Sequence, residues 1–139
     1  MNLRAKTASV LGAAAVAAAS LVVVPAGTAH AAYPTCNSNK NLDTSYGNVR
    51  QPYYTGTGSR NCVLGVGDDS IAVTRLQIVL RDCYGRNITA DSQYGKNTRD
   101  AVAYVQNYEG VPADGTYGPL TRKAMKWKTS YGSCVRLGI

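Results

Sequence analysis

The sequence predicts a small, mainly α domain. Three helices follow an extended polar N-terminal arm that is placed to form a short strand pair with the C-terminal tail. Three observations lead there. After residue 67, apolar residues recur at helical spacing in three stretches. A turn that launches a helix occurs twice, 23 residues apart. From 32 to about 65 the chain shows no helical period and is rich in Asn, Ser, Thr, Gly and Tyr.

The chain begins with a targeting pattern. Arg4 and Lys6 form a basic head, residues 8–24 are almost all small or apolar, Pro25 and Gly27 break the run, and Ala29-His30-Ala31 offers a small-x-small cleavage site. Residues 1–31 therefore read as a signal peptide. A spanning helix needs roughly 20 predominantly apolar residues, and this run is shorter, so no membrane segment is expected after cleavage. The expected location is extracellular or at the cell wall. The remaining 108 residues suffice for one domain, expected as a monomer. With Arg4 and Lys6 removed, 13 basic residues face 8 acidic ones, a net of +5. That balance suits an anionic partner and equally serves solubility.

Cys36, Cys62, Cys83 and Cys134 are an even set in a small exported chain, which reads as two disulfides. Zinc is the rival. It is disfavoured because no Cys-x-x-Cys pair exists and the one His, His30, leaves with the signal. Four Cys allow three pairings. The expected set is Cys36–Cys134, joining the two ends, with Cys62–Cys83.

Element by element, Asn48 to Thr55 reads as a strand that Pro52 restricts to an edge. Asp68, Asp69 and Ser70 suit a helix start. Val73, Leu76, Leu80 and Cys83 then share a helix face, and Gly85 ends it. A second helix spans about Lys96 to Glu109, with Thr98, Ala101, Val102, Val105 and Tyr108 as its inward stripe. Gly110 and Val111-Pro112 stop it. A third starts at Pro119, with Leu120, Ala124 and Trp127 inward and Arg122, Lys123, Lys126 and Lys128 on the wet side. The division is an arm at 32–65, a helical domain at 66–130 and a tail at 131–139.

The repeat is ADSQYGKNTRDAV at 90–102 against ADGTYGPLTRKAM at 113–125, identical at seven of thirteen positions. Asp91 and Asp114 are placed to bond amides of their own turns. With Val73-x-x-Leu76-Gln77-x-x-Leu80 upstream and Val105-Gln106 between the copies, this order resembles the peptidoglycan-binding-like domain of bacterial wall hydrolases and phage endolysins. The resemblance covers about 66–128. Tyr94 and Tyr117 stand where the family pattern has Phe, Val105 replaces an aromatic residue, and Asp91-Ser92 replaces Asp-Gly. The Cys residues and the arm lie outside the pattern. The resemblance implies a three-helix fold that binds wall glycan or stem peptide, and it does not imply catalysis.

Composition agrees with that implication. Ser-His-Asp, Cys-His and His-ligated zinc chemistry all need a residue the exported chain lacks. Paired carboxylates for glycoside hydrolysis are formally available. However, Asp68, Asp69, Asp91 and Asp114 have turn or helix-start roles, and Glu109 closes a helix. No catalytic residue, metal or cofactor is expected. Candidate ligand contacts are Tyr94, Tyr104 and Tyr117, whose rings suit sugars, and Arg99 with Arg122, which suit stem-peptide carboxylates. Tyr94 and Tyr117 also read as core residues, and Gln77 and Gln106 as bonds to backbone between helices. The expected partner is peptidoglycan, with or without a separate wall hydrolase. The competing reading is a secreted inhibitor or protein-interaction domain that presents Gln51 to Gly56. Nucleic-acid binding through the basic third helix is set aside because of export and disulfides.

Overall fold

The computed structural model describes residues 32–139, and the expected signal peptide lies outside them. The arm folds back on itself as an antiparallel hairpin of β1 (Ser38–Thr44) and β2 (Gly47–Tyr53). Gly47 takes the turn with φ +99°, and a Cβ there would strike Ser130 and Tyr131. Helices α1 (Ile71–Tyr84), α2 (Lys96–Glu109) and the short α3 (Pro119–Ala124) follow. A second hairpin joins β3 (Lys126–Lys128) to β4 (Cys134–Arg136). Mainly α is therefore only part of the architecture, because two hairpins frame the helices. The arm does not form a strand pair with the tail. The tail pairs with β3, and the arm meets the intervening turn through the Val49–Thr129 bridge and the Ser130 N–H to Asn48 O bond.

Helix α1 buries Ala72, Val73, Leu76, Val79 and Leu80, and Gly85 ends it at φ 63°. Helix α2 buries Thr98, Ala101, Val102 and Val105, and Gly110 ends it at φ 74°. Tyr108, expected inward, is 62% exposed. The inward phase of four-residue steps passes from Val105 to Glu109, whose side chain is 6% exposed and accepts the Tyr84 hydroxyl.

The third helix is shorter than expected. It ends at Ala124, and Met125 is extended at φ −82°, ψ 160°. From there burial alternates: Met125 and Trp127 are buried, while Lys126 and Lys128 are half-buried. That period of two belongs to a strand. Leu120 faces solvent and Arg122 is buried, the reverse of the expected facing. The Trp127 indole donates to Arg122 O at 3.0 Å, so the tryptophan reaches the core from a strand.

The repeat is the framework of the core. The Gln77 amide donates to Asp91 Oδ1, Gln93 O and Thr98 Oγ1, each at 3.0 Å. Its oxygen accepts the Asp91 and Ser92 N–H groups. Gln106 does the same one copy later, with Asp114, Thr116 O, Thr121 and the Gly115 N–H. Asp91 and Asp114 also accept an N–H of their own turns, from Gln93 and Thr116, as expected. Tyr94 and Tyr117 are pinned to the segment ahead of α1, Tyr94 by Gly67 and Asp68 and Tyr117 by both bonds to Leu64.

The disulfides are Cys36–Cys62 and Cys83–Cys134, so both expected pairs, Cys36–Cys134 and Cys62–Cys83, are wrong. The reason is backbone pairing. Cys36 N–H bonds Val63 O and Val63 N–H bonds Pro34 O, which brings Cys36 and Cys62 within 5.1 Å at Cα. Cys83, in the last turn of α1, faces β4, whose Cys134 pairs with Lys128 of β3. Chain-entropy estimates for these separations are about 3.5 and about 4 kcal/mol. Beside Cys83, Arg81 and Lys128 bond the Asp82 carboxylate and hold its pKa down to about 2.

Three outcomes test this account. Mass spectrometry of a non-reduced tryptic digest yields linked peptides for Cys36–Cys62 and Cys83–Cys134 and for no other pair. Gln106→Ala strands buried donors and acceptors worth about 1–3 kcal/mol apiece and lowers the Tm by on the order of 10–20 °C. Gln77→Ala behaves alike. Asp82 favours folding only when ionised, so its contribution is complete well above pH 3.8 and vanishes as pH falls toward 2. The Tm difference between wild type and Asp82→Asn accordingly narrows from pH 5 to pH 2.

Candidate functional site

The structure separates the five expected contact residues. Tyr94 is 2% exposed and its hydroxyl donates to Gly115 O at 2.6 Å. Tyr117 is fully buried, edge-on to Trp127 at 6.1 Å. Desolvation pushes both phenol pKa values up. Arg122 is 4% exposed and bonds Ile139 O, Arg60 O and Asn61 Oδ1. It ties the loop before α1 to the chain's last residues. These three are structural.

Arg99 and Tyr104 remain accessible. The Arg99 stem lies over Gly115, at φ +74°, where a Cβ would come within 2.6 Å of it. Its guanidinium pairs with Asp100 at 3.2 Å. Tyr104 lies five residues on, about 140° around the helix, so one ligand group cannot take both.

A different set converges on the outer face of α2. Tyr104 and Tyr108, one turn apart, hold their rings nearly parallel, 14° between planes with centroids 6.4 Å apart. Tyr84 meets Tyr108 edge-on at 6.0 Å. The left-handed Gly85 turns the chain so that Arg86, Asn87 and Ile88 run beside α2. The Arg86 guanidinium sits 3.5 Å above the Tyr104 ring. A cleft of about 330 Å³ is lined by Tyr104, by Arg86, Asn87 and Ile88, and by Asn97, Asp100 and Ala101, while Tyr108 and Tyr84 border a separate hollow with Cys83 and Lys126. A second cleft, of about 230 Å³, shares Ile88 and Asn97 with the first and extends past Thr89, Asp91, Gln93 and the first turn of α2.

The exposed Tyr108 ring and the Tyr104 ring, one face of which Arg86 covers, stand near a run of amides, hydroxyls and carboxylates and suit a sugar ring and its amide substituents. The carboxylates serve as acceptors. Bonds from the Gln93 N–H and the Gln77 amide lower the Asp91 pKa. Lys96, then Arg99, lowers that of Asp100. Among the described residues no group of three His, Cys, Asp or Glu gathers where it could hold a metal.

Sequence reasoning missed Arg86, Asn87, Asn97 and Tyr108. The spacing of Tyr104 and Tyr108 is visible in sequence, but Tyr108 also fits the inward stripe, and only the packed phase of α2 separates the two. Arg86 and Asn87 carry no signal, because their position depends on the turn at Gly85.

Residues 70–125 match the family model described as "Putative peptidoglycan binding domain". This segment is a peptidoglycan-binding-like domain, spanning α1 to the end of α3. A solved structure of a peptidoglycan-binding protein from Clostridioides difficile, in complex with glutamine hydroxamate, is 26% identical, with a TM-score of 0.46 over 60% of this chain. The chain spans 53% of that protein's length. No curated protein matches.

Proposed function

We propose that this is a secreted, non-catalytic protein that binds peptidoglycan, through glycan or stem peptide, with the outer face of α2. The observation that carries the proposal is Tyr104, which lines one of the two joined clefts and stacks beside the exposed Tyr108, all within the segment 70–125 that matches the family. Tyr104, Tyr108, Asn97 and Asn87 are the contact residues. Arg99 is a peripheral contact. The protein works as a monomer, alone or beside a separate wall hydrolase.

A non-catalytic role has chemical support. A glycosidase needs one carboxyl held protonated near neutral pH. Asp82, Asp91 and Asp100 are all shifted the other way, by bonds from cations and amides. Both disulfides are formed, so none of the four Cys is a thiol nucleophile. Two disulfides also fit an oxidising, extracellular setting.

The competing reading, an inhibitor that presents the arm, is weakened by burial. Gln51 and Pro52 are buried, Tyr54 packs against the core, and Arg60 bonds the Gln51 amide oxygen at 2.6 Å.

Co-sedimentation with purified sacculi tests the proposal. Retention should persist on sacculi stripped of anionic polymers and in about 0.5 M salt, where the Debye length is only a few ångströms. Tyr108→Ala, at an exposed ring, should weaken binding about three- to tenfold with an unchanged Tm. Loss of all retention on stripped sacculi would overturn the reading.

A further inference from the structure

The arm lies outside the segment that matches the family, yet it builds one wall of a separate concavity. This hollow, about 330 Å³, lies between the β1–β2 hairpin, α1 and the end of β3. Its polar lining includes Asn41, Asn48, Arg50, Arg75, Lys128 and Ser130. Three elements distant in sequence thus bring three cations to one place.

Their pairing is uneven. Lys128 is held by Asp82 at 2.6 Å. Neither Arg50 nor Arg75 has an ion-pair or side-chain hydrogen-bond partner among the described residues. The Arg75 Nε is fully buried with no acceptor. Arg75 also feels burial first and the Arg50 charge second, and both act against its protonated form. A buried donor without an acceptor and two like charges facing each other both oppose folding. No carboxylate in the described chain relieves them, although Asp43 lies two residues from Asn41. An anion seated between the two guanidiniums would relieve both.

We propose that this hollow is a binding site for a phosphate group, with Arg50 and Arg75 as its two forks. Two guanidiniums supply about twice the charge of one carboxylate. They also approach from different elements, Arg50 from the hairpin and Arg75 from α1. A tetrahedral phosphate offers three or four acceptor oxygens to such converging forks, whereas a carboxylate offers two in one plane. Asn41 and Asn48 add neutral donors at the rim. The same chemistry comes from a phosphodiester in an anionic wall polymer or from free inorganic phosphate. The site is separate from the α2 face, and the proposal does not rest on peptidoglycan binding.

The test is titration of the oxidised protein with inorganic phosphate at constant ionic strength, followed by amide NMR and calorimetry. Saturable binding should appear, with shifts at Asn48, Arg50 and Arg75. Arg75→Met and Arg50→Gln should each weaken it at least tenfold. Arg75→Met should also keep or raise the Tm without phosphate, because it removes the unpaired donor. Should Arg75→Met fail to fold, the exposed Arg50→Gln still decides. Tyr108→Ala should leave phosphate affinity unchanged. A purified phosphodiester wall polymer binding at least tenfold more tightly than the free ion assigns the site to the polymer. Equal affinity assigns it to the free ion. Non-saturable shifts, equal binding of acetate, or unaltered affinity in both arginine variants would overturn the proposal.

Discussion

Each half of the helical domain is organised by one buried glutamine amide. Gln77 and Gln106 each close a turn by bonding its aspartate, its backbone and the first-turn threonine of the helix that follows. A buried amide is costly unless satisfied, so each glutamine dictates the shape of the turn around it. The turn then sets the direction in which α2 or α3 departs. The repeated Asp and Thr are the side chains this bonding pattern uses, so the two copies agree at those positions.

Satisfying that pattern determines what is left for function. The repeated tyrosines and the second arginine are drawn inward, where Tyr94 bonds Gly115 O, Tyr117 packs on Trp127, and Arg122 ties three segments together. The repeated tyrosines therefore mark structure. The exposed residues on and beside the outer face of α2, Tyr104, Tyr108, Asn97 and Asn87, fall outside the strongest motif or on its non-repeated positions.

The arm and the tail complete the domain. Leu64 and Tyr117 exchange two backbone bonds, and Val63 brackets Cys36, so the arm is a structural layer against the second copy. The Cys83–Cys134 bridge secures β4 against α1, and Asp82 with Lys128 reinforces the same joint. A domain of this size has a small core, and cross-links compensate for the apolar area it lacks. The same docking of arm on α1 creates the Arg50–Arg75 hollow, a feature absent from either element alone.

Local rules made much of this readable in advance. Helical periodicity placed α1 and α2, the glycines after them marked their ends, and the repeat with its two glutamines located the turns and the family resemblance. The boundaries of α3, the inward phase of Tyr108 and the burial of Arg122 were not readable. Each depends on a neighbour far along the chain: β4 for the strand at Trp127, Tyr84 for Glu109, and the Arg60–Asn61 loop for Arg122. The disulfide pairing and the two arginines of the hollow depend in the same way on the docking of the arm. By itself the sequence determined the helices, the turns and the class of domain, because these follow from contacts within a few residues. Tertiary structure decided which side chains are exposed and which are buried, because burial is a property of the whole packed chain.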